Sequence, residues 1–370
     1  MIIVVSHSSF IDGKFHEVPV NTLIDVLIEK KEKFVFIRHS ITGIFKSNAY
    51  FYEDGKLKNN QEIFTIQSIL ILRYLTECIL TFFFIGFHFK EKIIFIGVDP
   101  LNALTGLLLK IFKRTKKFIF YTPDYSPKRF NNKILNNIYH LIDKTCVKYS
   151  DQVWNVSSRI CGVREKMGLI DSKNIFLPNV PSSKYMKFFS NSKNKETLII
   201  LGKLENQIDY IGLFDSMVVL KSKIPSICLK IIGGGPQKSF YKNYVKDKKI
   251  DDRVYFLGQL NHENALEEIS KSGIGLALYN GKWEFNYYGD SMKCREYFSF
   301  GLPVITTDTH STVDELIKYK AGIVCDLNSQ NYTEAVLKIL NKYEEYSSNS
   351  YNLGKKYSDK NEQIIKNIYS

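Results

Sequence analysis

Tyr288–Ile305 reads YGDSMKCREYFSFGLPVI and joins a short helical pattern to a turn and a buried strand. Lys293 and Glu296 are three residues apart, so a helix places both side chains on one face, one turn apart. A cation and a carboxylate at the carboxyl end of a strand suit a nucleoside diphosphate, with the cation on phosphate and the carboxylate on ribose hydroxyls. A surface ion pair explains the same spacing, because such pairs are common and weak.

The remainder of the chain alternates apolar runs of strand length with amphipathic runs. This pattern is typical of parallel sheets joined by right-handed helical crossovers. A chain of 370 residues is too long for one ordinary core. We therefore predict an α/β protein of two Rossmann-like domains, 1–180 and 195–345, facing a cleft. The boundary lies in the proline- and serine-containing stretch from Pro178 to Asn194.

The first half contains a regular series of predicted elements. Its strands are expected near Ile2–Val5, Phe34–Ile37, Ile93–Ile96, Phe118–Tyr121 and Val153–Trp154. Its helices are expected near Val20–Lys30, Ile69–Phe84, Leu101–Phe112 and Lys133–Tyr149. Ile44–Tyr52 alternates like a hairpin strand, and Glu53-Asp54-Gly55 supplies the turn.

Ile69–Phe89 is the longest apolar run, and it contains Arg73, Glu77 and His88. Ionisable side chains are costly at bilayer depth, so this run predicts a core helix rather than a membrane span. An apolar face that touches a bilayer is compatible with the same sequence.

The net charge of +13 attracts nucleic acid, anionic lipid or phosphorylated substrates. No nucleic-acid-binding motif accompanies the charge, so nucleic acid is not an expected partner. Six scattered cysteines without a CxxC pair argue against a zinc site and a disulfide framework, and fit a reducing compartment. Met1 leads directly into a strand pattern rather than a signal peptide, so we expect a cytoplasmic protein, with peripheral contact at the inner face of the membrane.

The second half resembles the nucleotide-sugar-binding half of GT-B glycosyltransferases, especially those like family 4 (glycosyl transferases group 1). The resemblance rests on the order of the Tyr288–Ile305 stretch and five other segments, Thr197–Leu204, Leu229–Pro236, Val254–Leu260, Ser272–Tyr279 and Ala321–Cys325. It implies a GT-B fold in which the N-terminal domain binds the acceptor and the C-terminal domain binds the donor. It also implies that the terminal segment, 346–370, forms a helix that packs toward the N-terminal domain.

The resemblance places donor-binding residues at strand ends of the second half. Lys203 and Lys293 would face the diphosphate, and Glu296 would face the ribose. The backbone of the glycine turn that includes Gly234 and Gly235 would approach a phosphate, although a purely structural tight turn is an open alternative. A first glutamate, expected at position 288, is replaced by Tyr288. Asp290 and Glu284 are candidate substitutes, and Ser291 completes the predicted donor-binding set.

Two residues of the first half are candidate catalytic groups. Asp124 follows a predicted strand in the loop YTPDYSPKRF, where a carboxylate suits an acceptor-hydroxyl contact or a general base. A backbone-bonded loop aspartate is the alternative. His7, which follows the first strand, is the second candidate base. The chain contains no D-x-D triplet, so we expect no metal at the diphosphate.

The resemblance implies a glycosyltransferase of surface polysaccharide or glycan assembly. It would move a sugar from a nucleoside-diphosphate sugar, its substrate, to a hydroxyl of a lipid-linked or oligosaccharide acceptor. Retention of anomeric configuration and independence from metals and cofactors are also implied. Two alternatives stay open at this point: a GT-B nucleotide-sugar epimerase, and a non-catalytic relative that binds nucleotide or glycan.

Overall fold

The computed structural model describes residues 1–11, 14–16, 20–64, 70–181, 193–281, 284–357 and 359–370. The chain divides into two compact units. The first unit combines Met1–Pro178 with Lys360–Ser370, and the second comprises Asn179–Asp359. Each unit is an α/β domain built on its own sheet, as predicted.

The first unit is built on a mixed sheet in the order β5-β4-β3-β1-β6-β7-β8-β9, with β2 paired to β1. Its strands are β1 (Ile2–Ile11), β2 (Lys14–His16), β3 (Phe34–Ser40), β4 (Asn48–Glu53), β5 (Lys56–Glu62), β6 (Ile93–Val98), β7 (Thr115–Thr122), β8 (Gln152–Asn155) and β9 (Asn174–Phe176). The strands from β3 through β9 on this path are parallel, whereas β4 and β5 form an antiparallel hairpin. Asp54 and Gly55 both have positive φ, as a tight hairpin turn requires.

Five helices connect these strands: α1 (Val20–Glu29), α2 (Leu70–His88), α3 (Asp99–Ile111), α4 (Lys133–Tyr149) and α5 (Ser158–Lys166). Asn132 caps α4 by accepting from the backbone of Ile134 and Leu135, which fixes its predicted start. None of the helices within the described ranges is long and apolar enough to cross a membrane.

The second unit has a parallel sheet in the order β12-β11-β10-β13-β14-β15. Its strands are β10 (Asn194–Leu201), β11 (Cys228–Ile232), β12 (Val254–Gly258), β13 (Ser272–Ala277), β14 (Val304–Thr306) and β15 (Gly322–Val324). Its helices are α6 (Tyr210–Lys223), α7 (Lys238–Asp247), α8 (His262–Lys271), α9 (Glu284–Tyr288), α10 (Met292–Ser299), α11 (Thr312–Tyr319), α12 (Ser329–Asn341) and α13 (Tyr343–Lys355). The strand segments expected in this half are all present.

The terminal segment differs from the single helix expected over 346–370. Residues 346–355 form the second part of α13, which belongs to the second unit. A separate helix, α14 (Lys360–Tyr369), belongs to the first unit. Lys117 Nζ donates to the Asn367 carbonyl at 2.6 Å, which ties α14 to β7. The ammonium of Lys360, which is buried, donates to the carbonyl of Pro178.

Candidate functional site

Two glycine turns at the carboxyl ends of β10 and β11 interlock in the second unit. Gly202 N–H donates to the Ile232 carbonyl, and Leu204 N–H donates to the Gly234 carbonyl, both at 3.0 Å. A Cβ on Gly233 would lie 1.9 Å from the Gly202 oxygen, and its φ of +146° is outside the range that other residues readily adopt. The sequence therefore needs glycine at this position for the turns to meet.

The two predicted donor-binding glycines have different surroundings. A Cβ on Gly235 would lie 2.6 Å from the Leu204 oxygen, so Gly235 permits close backbone packing. A Cβ on Gly234 would meet nothing within 4 Å. Gly234 thus leaves open space just before the N-terminus of α7, where backbone N–H groups favour an anion.

Helix α10 carries Lys293 and Glu296 and is fixed in place by Tyr297. The Tyr297 hydroxyl lies 3.3 Å from both the Leu201 nitrogen and the Leu276 oxygen, so it links the helix to β10 and β13. Ser291 begins α10 as its N-cap, accepting from the Cys294 backbone. The structure thereby assigns Ser291 a capping function.

Lys293 and Glu296 do not pair with each other, although both lie in the described part of the chain. Lys293 Nζ lies 5.1 Å from the centre of the Tyr279 ring. Glu296 is buried, and its Oε1 lies 2.7 Å from His262 Nε2. The surface ion pair that the spacing also allowed is therefore absent, and the ammonium group remains available for an anion.

His262 was missed by the sequence analysis. It is the first residue of α8, soon after the carboxyl end of β12, and its side chain is only partly covered. Its position beyond a strand end is the signal that could have identified it. The imidazole orients the Glu296 carboxylate, so His262 and Glu296 form one hydrogen-bonded pair.

Asp290 is held by neighbouring groups instead of facing open space. Its side chain is 1% exposed and pairs with Arg295 at 2.9 Å. Its oxygens also accept from the Thr312 hydroxyl at 2.8 Å and from the Asn179 backbone at 2.7 Å. Burial by itself lowers the pKa of Arg295, but Asp290 and Glu315 outweigh it and raise that pKa. These contacts give Asp290 a structural role, joining α10 to α11.

The remaining donor-site candidates are Lys203 and Glu284. Lys203 is exposed directly after β10, and it has no acidic partner among the residues that the structure describes. The Glu284 side chain lies outside the described part of the chain, so its role stays a prediction. Lys203 and Lys293 thus provide two ammonium groups in the second unit that are not neutralised by described carboxylates.

A cavity of about 320 Å³ lies in the first unit beside the middle of β1 and the carboxyl ends of β6 and β7, and it contains both predicted catalytic residues. Strand β1 continues to Ile11, so His7 lies within this strand and not after it as predicted. Seven of its lining residues carry polar groups: Ser6, His7, Tyr74, Asp99, Asp124, Arg129 and Tyr139. Asp124 Oδ2 accepts from Arg129 Nη1 at 2.8 Å, and both side chains are partly exposed. Burial lowers the pKa of Arg129, but Asp124 outweighs it and raises that pKa.

His7 lies between two carboxylates in this cavity. Its Nδ1 is 3.0 Å from Asp99 Oδ2, and its Nε2 is 3.0 Å from Glu77 Oε2. Burial by itself lowers the pKa of His7, but Asp99 and Glu77 outweigh it and raise the pKa to about 9. A protonated imidazole is a poor proton acceptor, so at neutral pH this environment disfavours His7 as a general base. Asp99 begins α3 with φ +70° and fixes this imidazolium.

The family comparison matches residues 182–356 to the family described as Glycosyl transferases group 1. An uncharacterized glycosyltransferase of Haemophilus influenzae is 28% identical over 169 residues, which cover 45% of this chain and 44% of that protein. The chain thus matches less than half the length of this relative.

Solved structures share the fold over nearly the whole chain. HepE of Anabaena in complex with UDP has a TM-score of 0.66 and 11% identity, covering 100% of this chain and 99% of HepE. WaaG, a glycosyltransferase involved in lipopolysaccharide biosynthesis, has a TM-score of 0.60 and 10% identity, covering 97% of this chain and 95% of WaaG. At such identities the likeness shows the fold alone, and that fold is GT-B. The predicted fold class is therefore confirmed.

Proposed function

We infer that this GT-B chain, whose residues 182–356 match the group 1 glycosyl transferases, transfers a sugar from a nucleoside-diphosphate sugar to an acceptor hydroxyl. The proposed acceptor is a lipid-linked or oligosaccharide chain in surface polysaccharide assembly. The observation that carries the proposal is the buried Glu296 carboxylate, held by His262 at 2.7 Å on the same helix as the unpaired Lys293. HepE, which shares the fold and was solved with UDP and with UDP-glucose, supports the choice of a nucleotide-sugar donor. WaaG, which shares the fold and is involved in lipopolysaccharide biosynthesis, supports the choice of acceptor.

The donor half of the reaction is assigned to the second unit. Lys203, Lys293 and the backbone beside Gly234 would bind the diphosphate, and Glu296 would accept hydrogen bonds from the ribose. Negative charge grows on the departing phosphate as the sugar bond breaks. Ammonium groups and helix N-termini stabilise this charge most when they are fixed beforehand. The absence of a D-x-D triplet supports charge neutralisation by these groups rather than by a metal.

The acceptor half is assigned to the cavity of the first unit. Under the retaining mechanism that we propose, the departing phosphate helps remove the acceptor proton, and no protein base is obligatory. Should the reaction invert configuration, Asp124 is the candidate base, because the raised pKa of His7 keeps its imidazole protonated.

A thermal-shift screen with nucleoside diphosphates and their sugars tests the donor site. A ligand at a hundredfold excess over its Kd stabilises the folded protein by about 2.7 kcal/mol. Hydrogen bonds to a charged group contribute about 1.5–3 kcal/mol, so Glu296→Ala is expected to bind the effective nucleotide at least tenfold more weakly. Glu267→Ala is the matched control, because Glu267 forms an exposed pair with Lys271 on α8.

The reaction products distinguish the alternatives. Release of nucleotide that depends on an added saccharide acceptor supports transfer. Conversion of the donor sugar without an acceptor would support the epimerase. Binding without turnover would support the non-catalytic relative, whose motivation is Tyr288 at the position of the expected first glutamate. No stabilisation by any nucleotide would contradict the donor site itself.

The proposal also includes peripheral contact with the cytoplasmic face of an anionic membrane, where lipid-linked acceptors are accessible. The net charge of +13 supports it. A basic side chain near an anionic leaflet contributes about 1 kcal/mol to binding.

A further inference from the structure

Helix α2 buries its charged side chains and exposes several apolar ones, which is the reverse of an ordinary surface helix. Its charged residues before the terminal histidine, Arg73 and Glu77, are buried. Glu77 bonds to His7, and the Arg73 guanidinium donates to the Ile41 carbonyl. The solvent-facing side of α2 is consequently apolar, which contrasts with the usual pattern of a helix packed on a soluble core.

The exposed apolar residues of α2 form one stripe. The α2 stripe consists of Leu72, Leu75, Ile79, Phe83 and Phe87. At 100° per residue these five positions cover about 120° of the helix surface, and the centre of the stripe lies about 120° around the helix from the buried charges. Their side chains remain 47–80% exposed. The expectation of a core helix thus holds for one side of α2, and the other side presents a continuous apolar surface of the kind that marks an interaction site.

An aromatic cluster widens the carboxyl-terminal end of the stripe. The Phe82 ring lies 5.5 Å from Phe83 and 5.3 Å from Phe112, and Phe83 lies 6.2 Å from Phe87, between ring centres. Phe112, just after α3, is 63% exposed.

Basic residues border this cluster. Arg114 donates to the carbonyls of Gly86 and Phe89, which places the 113–114 segment beside the end of α2. Exposed lysines nearby in the chain are Lys90, Lys92, Lys113 and Lys116, and Glu91 is the acid among them. Aromatic groups bordered by several cations complement an anionic lipid surface, because the rings enter the interface while the ammonium groups meet phosphate.

The amino-terminal end of the stripe lies near the cavity of the first unit. Tyr74 and Ile41 both line that cavity, and Leu72 and Leu75 flank Tyr74 on α2. A membrane on the stripe would therefore bring lipid headgroups near the cavity that contains Asp124.

We propose that the α2 stripe and its basic border bind the surface of an anionic phospholipid bilayer. This inference rests on the proposed function, to which it adds the membrane-binding surface and a route for a lipid-borne acceptor. A second copy of the chain fits the surface less well, because a face-to-face pair would bring the lysine borders together.

Flotation with phosphatidylglycerol vesicles and with neutral phosphatidylcholine vesicles tests the proposal. The full-length protein is expected to bind the anionic vesicles, and salt is expected to weaken this binding. The variant Phe83→Ser/Phe87→Ser is expected to lower the partition coefficient at least tenfold. The matched control is Phe240→Ser/Ile317→Ser, which alters two exposed apolar residues of the second unit. Circular dichroism and nucleotide thermal shifts confirm that each variant is folded.

Equal vesicle binding by the wild type and the α2 variant would overturn the proposal, as would no binding by the wild type. A concentration-dependent dimer that the α2 variant abolishes, without vesicle binding, would assign the stripe to a second copy instead. The nucleotide thermal shifts are measured in the same samples. A protein that binds nucleotide but no vesicles contradicts only the membrane surface, whereas one that binds vesicles but no nucleotide contradicts the proposed function.

Discussion

The His7 charge cluster predicts a specific loss of stability between neutral and alkaline pH. The His7 side chain is 8% exposed and contacts Asp99 and Glu77 at 3.0 Å each. The folded state therefore retains a proton that the unfolded chain releases near pH 6.5. Replacing His7 by Gln removes this proton-binding group and keeps a polar side chain of similar size.

The magnitude follows from the two pKa values. A folded pKa of about 9 against an unfolded value of 6.5 corresponds to about 3 kcal/mol of stability, as an order of magnitude. Because the folded pKa is raised, this contribution is complete below pH 6.5 and disappears as the pH rises through 9. Between these values the free energy of unfolding should fall by about 1.4 kcal/mol per pH unit relative to a protein without His7.

Urea unfolding from pH 6.5 to 9.5 measures this slope. Trp154 is fully buried in β8 and reports on the first unit, once the other tryptophan, Trp283, is replaced by Phe in every protein compared. At each pH the free energy of unfolding of His7→Gln is subtracted from that of the wild type. The titration of unrelated thiols and amines occurs in both proteins and therefore cancels. A difference that stays constant over this pH range would refute the charged His7 cluster. His39, whose pKa is lowered by burial and by the nearby His7 charge, affects the comparison only below pH 6.5.

Two further predictions concern stability. Arg164 and Asp143 form a fully buried pair at 2.5 and 2.9 Å, so Arg164→Met should cost about 3–5 kcal/mol in urea unfolding. Adding Asp143→Asn should restore part of the lost stability, because it removes the carboxylate that Arg164→Met leaves buried without a partner. An equal or larger loss in the double variant would contradict this explanation. Gly233→Ala should destabilise the second unit because its Cβ would lie 1.9 Å from a carbonyl oxygen. Gly234→Ala, which meets nothing within 4 Å, should leave the unfolding midpoint unchanged, and equal losses would contradict the interlocked turns.

Local signals explain why much of the fold was predictable. The start of α4 follows from the Asn132 cap, and the end of β4 follows from the Asp54-Gly55 turn. Both features depend on residues within a few positions of each other. Apolar runs that are buried on both faces likewise identify parallel strands without knowledge of their partners.

The roles of the site residues depended on contacts that no local pattern contains. His7 meets Glu77 and Asp99, which lie 70 and 92 residues further along the chain. Glu296 meets His262 across 34 residues. The sequence pattern located His7 near the first strand and Glu296 on a helix, but the protonation of His7 and the orientation of Glu296 depend on partners that only the fold brings close. The same holds for α2. Its charged residues, Arg73 and Glu77, are buried because they contact the Ile41 carbonyl and His7, which come from other elements.

The charges at the first-unit cavity bear on the chemistry of the proposed acceptor. Among the described residues, oppositely charged side chains at the cavity and directly behind it form four pairs: His7 with Asp99 and with Glu77, Arg73 with Glu77, and Arg129 with Asp124. Paired charges offer both hydrogen-bond donors and acceptors while their electrostatic potentials largely cancel. Such a cavity suits neutral hydroxyl groups better than a phosphate or carboxylate. In the second unit, by contrast, Lys203 and Lys293 have no carboxylate partner among the residues that the structure describes. This separation supports a division of the reaction in which the second unit binds the anionic diphosphate and the first binds sugar hydroxyls.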